Sequence, residues 1–160
     1  MLLLVTNDNL ANALRSRGLR VTSPRMATLA VLKNNRHAEA EAIAAKVTDR
    51  IGSVSRQAVY DALNSLTEVG LVRRVTPNNR AARYELEEHD NHHHLLCRSC
   101  GALVDVPCAT GHVPCLTPDH VDDLTIEVAE GFYHGLCASC TAAQLTDPQQ
   151  EPVTRRNNDI

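Results

Sequence analysis

SVSRQAVYDALNSLTEVGLVRRV, residues 53–75, reads as a capped helix running into a strand. Ser55 is placed to cap the helix. Val59, Leu63 and Leu66 recur at the helical period, and Gly70 stops it. LVRRV (71–75) then alternates like a strand, PNN turns, and ARYEL (82–86) returns.

Three helices are expected before this stretch. Asn7 or Asp8 can cap one that carries Leu10, Ala13 and Leu14 and ends at Gly18. Thr22-Ser23-Pro24 puts proline at the start of the next, followed by Met26, Ala27, Leu29, Ala30 and Leu32. A third spans about Ala38 to Val47, with Ala42, Ile43, Ala45 and Val47 as its apolar candidates. Helices followed by a β-hairpin give the order of a winged helix-turn-helix, in which the helix opening at Ser55 reads DNA. Arg56, Gln57 and Tyr60 lie in its first turns and can reach base edges and phosphates. Arg15, Arg20, Arg25, Arg73 and Arg74 flank it and can grip the phosphate backbone.

Charge supports a division of labour. Residues 1–83 hold 13 Lys+Arg and 6 Asp+Glu, a net of +7, whereas residues 84–160 hold 3 and 13, a net of −10. All six cysteines and seven of the eight histidines lie in the second part, His37 being the exception. A basic half facing a polyanion and an acidic half holding cations is the reading that fits both counts. With three Tyr, one Phe and no Trp, a small second domain has few aromatic anchors and calls for a staple such as a metal. The expected fold class is α+β. The expected domains are a DNA-binding domain over 1–84, a hinge at about 84–91, a metal-binding domain over 92–145 and a disordered polar tail over 146–160.

HHHLLC (92–97) reads as a strand, CRSCG as a tight knuckle and ALVDV (102–106) as the partner strand. Residues 108–123 are turn-rich without a clear period, and TIEVA (125–129) and GFYHGLC (131–137) look like two more strands. Cys97-x-x-Cys100 and Cys137-x-x-Cys140 supply four thiolates, which suits a closed tetrahedral zinc site. The alternatives are buried thiols or a redox pair. The 36 residues between the knuckles exceed the spacers of compact zinc ribbons, so a small sheet should sit between them. On a strand, His92 and His94 share one face and His93 takes the other. With carboxylates from Glu85 and Asp105 they make a mixed nitrogen and oxygen set that accepts Fe(II), Mn(II) or Zn(II). The competing reading is an exposed histidine run that binds metal adventitiously. Cys108 and Cys115, with six residues between them, suit either a reversible disulfide or two inert thiols. The chain opens without a basic leader and has no run long enough to span a membrane, so a cytoplasmic location is expected.

GLRVTSPR, SRQAVYDALNSLTEVGLVRR, ARYEL, HHHLLCRSCG and GLCASC together resemble the ferric uptake regulator (Fur) family of metal-dependent bacterial repressors, over about residues 10–142. DNHHHLLCRSCG, VDVPCATGHVPCL and the SRQAVYD helix look closest to the actinobacterial FurA/CatR branch, which is associated with peroxide-responsive control of catalase-peroxidase genes. The resemblance implies structural zinc on the four cysteines and a homodimer formed through the second domain. It also implies a regulatory metal on His37, Glu85, His92, His94 and Asp105, with His37 joining the two domains. Tyr60 matches the tyrosine of the family's reading helix, and Arg20 matches a basic residue that approaches the minor groove. The sequence departs from the family at Asn91 and Ala129, where histidine is often found, at Asp61, often arginine, and in the irregular 108–123 segment. Glu85, where the family's iron sensors often carry Glu, leaves plain iron sensing open beside peroxide sensing. Other classes remain possible on the residues alone: a zinc hydrolase, or a zinc-ribbon interaction module.

Overall fold

The computed structural model describes residues 7–77, 80–88, 90, 92–108 and 131–145. The chain divides into two compact units, Met1–Asp90 and Asn91–Ile160.

In the first unit, α1 (Asn7–Ser16) carries Asp8 in its first turn and Arg15 in its last, each matching the helix dipole. Gly18, at φ +73°, ends it: the Leu19 amide reaches back to the Leu14 carbonyl at 2.9 Å. That six-to-one bond needs a left-handed residue, which glycine adopts without a Cβ penalty. α2 (Ser23–Asn34) has Pro24 in its first turn, where a missing amide costs nothing. β1 (Ala38–Glu39) and α3 (Ala40–Ile51) divide the segment read from sequence as one helix beginning at Ala38. The two β1 residues pair with the later hairpin instead, a non-local bond that no local periodicity reports. The buried face of α3 is Ile43, Ala44 and Val47, whereas Ala42 and Ala45 are exposed, contrary to expectation.

α4 (Arg56–Glu68) begins where the Ser55 hydroxyl accepts the Ala58 amide at 3.1 Å. It buries Val59, Ala62, Leu63 and Leu66. The same glycine stop recurs at Gly70, φ +68°, with Leu71 bonded back to Leu66 at 2.9 Å. β2 (Val72–Val75) and β3 (Arg83–Leu86) form an antiparallel hairpin, and β1 adds to its other edge in the order β1-β3-β2. Leu14, Leu32, Ile43, Leu63 and Leu66 are fully buried between the helices and this sheet. Each such side chain contributes about 1.5–3 kcal/mol. Helices closed by a three-stranded wing make this unit a winged helix.

In the second unit, β4 (His92–Cys97), β5 (Leu103–Pro107) and β6 (Phe132–Gly135) form one sheet in the order β5-β4-β6. β4 pairs antiparallel with β5 across the first knuckle and parallel with β6. α5 (Ala138–Leu145) follows the second knuckle. No helix was expected from sequence there, because eight residues with only a weak apolar stripe give little signal. The expected strand at 125–129, the 109–123 part of the irregular segment, Cys115, Asn91, Ala129 and the 146–160 tail lie outside the described residues. Among the described residues no helix is long and apolar enough to cross a membrane.

Candidate metal centres and DNA-reading helix

The four knuckle cysteines come together in the second unit. Cys97 ends β4 and is fully buried. Its carbonyl accepts the Gly101 amide at 2.9 Å while its own amide donates to Ala102 at 2.8 Å, so the chain reverses tightly and turns Cys100 back. The second knuckle is held by the first turn of α5, where the Thr141 amide donates to the Cys137 carbonyl at 2.9 Å. The Arg98 amide donates to Gly135 at 2.8 Å and ties the two knuckles together.

The Sγ atoms of Cys97, Cys100, Cys137 and Cys140 all lie within 4.8 Å of one another, with Cys100 and Cys137 at 3.7 Å. Zinc–sulfur bonds of about 2.3 Å set a tetrahedral edge of about 3.8 Å, so the cluster has the dimensions of a zinc site. Its electrostatics also call for a cation. Backbone amides of Cys100, then of Cys137, hold the Cys97 thiol down at about 6. At Cys140 the Ser99 hydroxyl pulls the same way, but the thiols of Cys137 and Cys100 together with burial overcome it and push Cys140 to about 11. Once the first thiolate forms, its neighbours resist ionising unless a positive charge joins them.

The five residues proposed from sequence for a second metal fall into two groups. In the first unit, His37 precedes β1, buried and at φ +57°. A non-glycine residue there is strained by about 1–3 kcal/mol, and such strain collects at functional sites. The β1–β3 register carries His37 alongside Glu85, and His37 Nε2 lies 2.7 Å from Glu85 Oε2. Glu85 is only 2% exposed, and its other oxygen is 3.3 Å from Arg73, its direct partner across the β2–β3 ladder. Arg73 also meets Glu87 at 3.4 Å. It thus pairs with the buried carboxylate, a contact its sequence position had not suggested.

In the second unit, His92 and His94 lie on one face of β4 with their rings 4.9 Å apart, and Asp105 stands opposite His94 on β5. His92 Nε2 and His94 Nε2 are 3.9 and 3.8 Å from Asp105 Oδ1. These gaps are too long for hydrogen bonds but within the reach of two bonds of about 2.1 Å to a shared ion. His93 takes the opposite face and packs edge-on against Tyr133. Cys108, just past β5, is half-buried.

The candidate DNA readers cluster on α4. Arg56 is 77% exposed and lies 3.2 Å from Glu41 on α3. The Tyr60 hydroxyl donates to the other oxygen of that carboxylate at 2.9 Å, and this hydrogen bond raises the Tyr60 pKa above its usual value. Gln57 donates to Asp61 at 2.7 Å, one turn on. Arg20 is exposed before α2, and its carbonyl accepts from Arg25, whose Nε also donates to Ser65 on α4 at 3.2 Å. Arg25 thus braces α4. Sequence reading missed Glu41, Ser99 and the role of Arg73, because each acts through a partner on another element or another turn.

The Ferric uptake regulator family model matches residues 16–110. The chain is 47% identical over 136 residues to the transcriptional regulator FurA of Mycobacterium bovis, covering 85% of this chain and 92% of that protein. It is 27% identical over 134 residues to the peroxide-responsive repressor PerR of Staphylococcus epidermidis, covering 80% and 85%. A zinc uptake regulator solved with zinc and DNA shares the fold at a TM-score of 0.60 and 23% identity, covering 88% of this chain and 99% of that one. A winged helix, a four-cysteine knuckle sheet and close relatives of this kind lead to one conclusion: the chain belongs to the ferric uptake regulator family of transcriptional regulators.

Proposed function

We propose that the protein is a cytoplasmic, homodimeric, metal-dependent repressor that binds operator DNA and releases it on exposure to peroxide. On this reading Zn(II) on the four cysteines folds the second unit, and Fe(II) on His37, Glu85, His92, His94 and Asp105 is the switch. The observation that carries it is the buried His37–Glu85 pair, held at 2.7 Å by a strained backbone in the wing of a DNA-binding unit. That pair supplies two donors and the His92, His94 and Asp105 face supplies three. Neither is a full set by itself, so one ion taking both ties the units into a single arrangement. Metal then favours DNA binding only by the difference in its affinity for that arrangement over the others.

Imidazole and carboxylate donors without thiolate suit Fe(II) and Mn(II) as well as Zn(II). Fe(II) held by these residues would activate peroxide beside its own ligands. Overall, the ring of His37 or His92 would exchange a C–H for a C=O while peroxide is reduced to water. The coordinating ring nitrogen would become an N–H, cease to be a donor, and the operator would be freed. The FurA/CatR resemblance implies genes of the catalase-peroxidase type as the targets. Glu85 at a ligand position favours a second reading, an iron-supply sensor that lets go of DNA when the metal dissociates.

Anaerobic DNA-binding titrations with Fe(II), Mn(II) and Zn(II), each with and without peroxide, separate the readings. The duplex is one selected by the metal-loaded protein from a randomised pool. Peroxide should dissociate the iron form but not the manganese form, with mass spectrometry finding one added oxygen on His37 or His92. Iron-loaded protein that stays unmodified and bound would overturn peroxide sensing and leave the metal-supply sensor.

A further inference from the structure

We propose that Glu41 is a specificity-determining residue of the DNA-reading face, holding Arg56 and Tyr60 away from phosphates so that only a correct base sequence releases them. The inference rests on α4 being the DNA-reading helix.

Arg56 and Tyr60 stand one turn apart on α4 and so share a face. Glu41 reaches that face from the first turn of α3, and its two oxygens divide between them: Oε2 to Arg56 at 3.2 Å, Oε1 to Tyr60 at 2.9 Å. The raised Tyr60 pKa reflects the same hydrogen bond. Beside them Asp61 engages Gln57 at 2.7 Å. Every candidate base reader is thus already held by a carboxylate, on the surface where the basic first part of the chain would be expected to show its positive charge.

Two physical consequences follow. A phosphate must displace Glu41 before it can take Arg56, and Glu41 itself repels the phosphate. Random DNA offers phosphates but no matched base edges, so it bears this cost without return. A correct site offers base edges as well, to which Arg56 can donate a bidentate pair. Glu41 is exposed, so its pairing is screened and its effect moderate. Its value is discrimination rather than affinity.

The test uses the full-length, manganese-loaded dimer and its E41Q variant, which keeps the shape and an acceptor for Tyr60 but removes the charge. Affinities are measured by anisotropy across a sodium chloride series, on the selected duplex and on a shuffled duplex of equal length. E41Q should bind the shuffled duplex about two- to fivefold more tightly. Its dependence of log K on log salt should steepen by about one there, as Arg56 gains a phosphate. Affinity for the selected duplex should change less, so discrimination falls. In an Arg56→Ala background E41Q should lose most of this effect. Spectrophotometric titration of the tyrosines should show one of the three moving to lower pH in E41Q. Unchanged affinity and salt slope on shuffled DNA, or an unmoved tyrosine titration, would overturn the proposal. Wild-type protein that binds neither duplex in a metal-dependent way would instead remove the DNA reading of α4, and this inference with it.

Discussion

The two units are held together by different means. Among the described residues, the first has seventeen buried apolar side chains spread between Leu10 and Tyr84, drawn from each of its four helices and from the hairpin. Among the described residues of the second, the buried apolar side chains are Leu96, Cys97 and Leu103, all within or next to the first knuckle. A core of the first kind stands on hydrophobic burial alone. The second puts its most buried side chain, Cys97, into the cysteine cluster itself. The unit proposed to meet DNA is therefore held by a core that does not depend on the metal supply, and the other is built around ligands.

Zinc removal is the largest expected effect. Structural zinc in small domains contributes about 10–16 kcal/mol of apparent binding energy, which is folding energy when the site does not pre-exist. Chelation, or Ser at any of Cys97, Cys100, Cys137 and Cys140, should abolish the cooperative melting of the second unit while the helices of the first persist. Calorimetry with a zinc assay on each variant measures this. Full zinc content and unchanged melting in all four variants would erase the contrast between the units.

The converse change belongs to the first unit. Leu63 is fully buried at the centre of α4's apolar stripe, and Leu63→Ala should cost about 2–5 kcal/mol. Denaturant unfolding should show the loss in the first unit only, with zinc content unaltered. A matching fall in zinc retention would mean that the units fold as one.

This contrast also decided what could be read in the sequence. Val59, Leu63 and Leu66 announce α4 because one helix repeats its signal every turn, and Gly18 and Gly70 mark stops by their chemistry alone. The cysteine cluster was legible for another reason: each knuckle is a local Cys-x-x-Cys, and thiolates in pairs have few uses. What escaped depends on partners far along the chain. Ala38–Glu39 is a strand only because Arg83 and Tyr84 lie beside it. Arg73 looked like one more cation until the β2–β3 register set it against Glu85. His37 has no ligand pattern around it, and only the family resemblance singled it out. Glu41 carries no motif whatever, since its meaning comes from α3 meeting α4.

A smaller effect is expected at the DNA surface of the rigid unit. Arg56→Ala should weaken binding to a selected site by about 1–3 kcal/mol and relax the preference at one base position, if Arg56 reads a base. Competition binding against single-base variants of the site measures it. Equal losses on selected and shuffled DNA would make Arg56 a phosphate contact.

The smallest effect tests whether the first unit's stability is also distributed over local devices. Ser55 accepts the Ala58 amide at 3.1 Å and so satisfies one of the four amides that open α4. Ser55→Ala leaves that amide to water and should cost about 0.5–2 kcal/mol. For a unit of roughly ninety residues this is a fall of about 4–8 °C in melting temperature for each kcal/mol lost. A glycine replacement should cost only a few tenths of a kcal/mol, because glycine at a cap leaves the first amides open to solvent. Melting of the wild type, Ser55→Ala and Ser55→Gly should therefore fall in that order of loss, none, most and little, with zinc content constant throughout. If Ala and Gly are equally harmful, the Ser55 hydroxyl is not what fixes the start of α4, and the orientation of Arg56, the first residue of that helix, depends more heavily on Glu41.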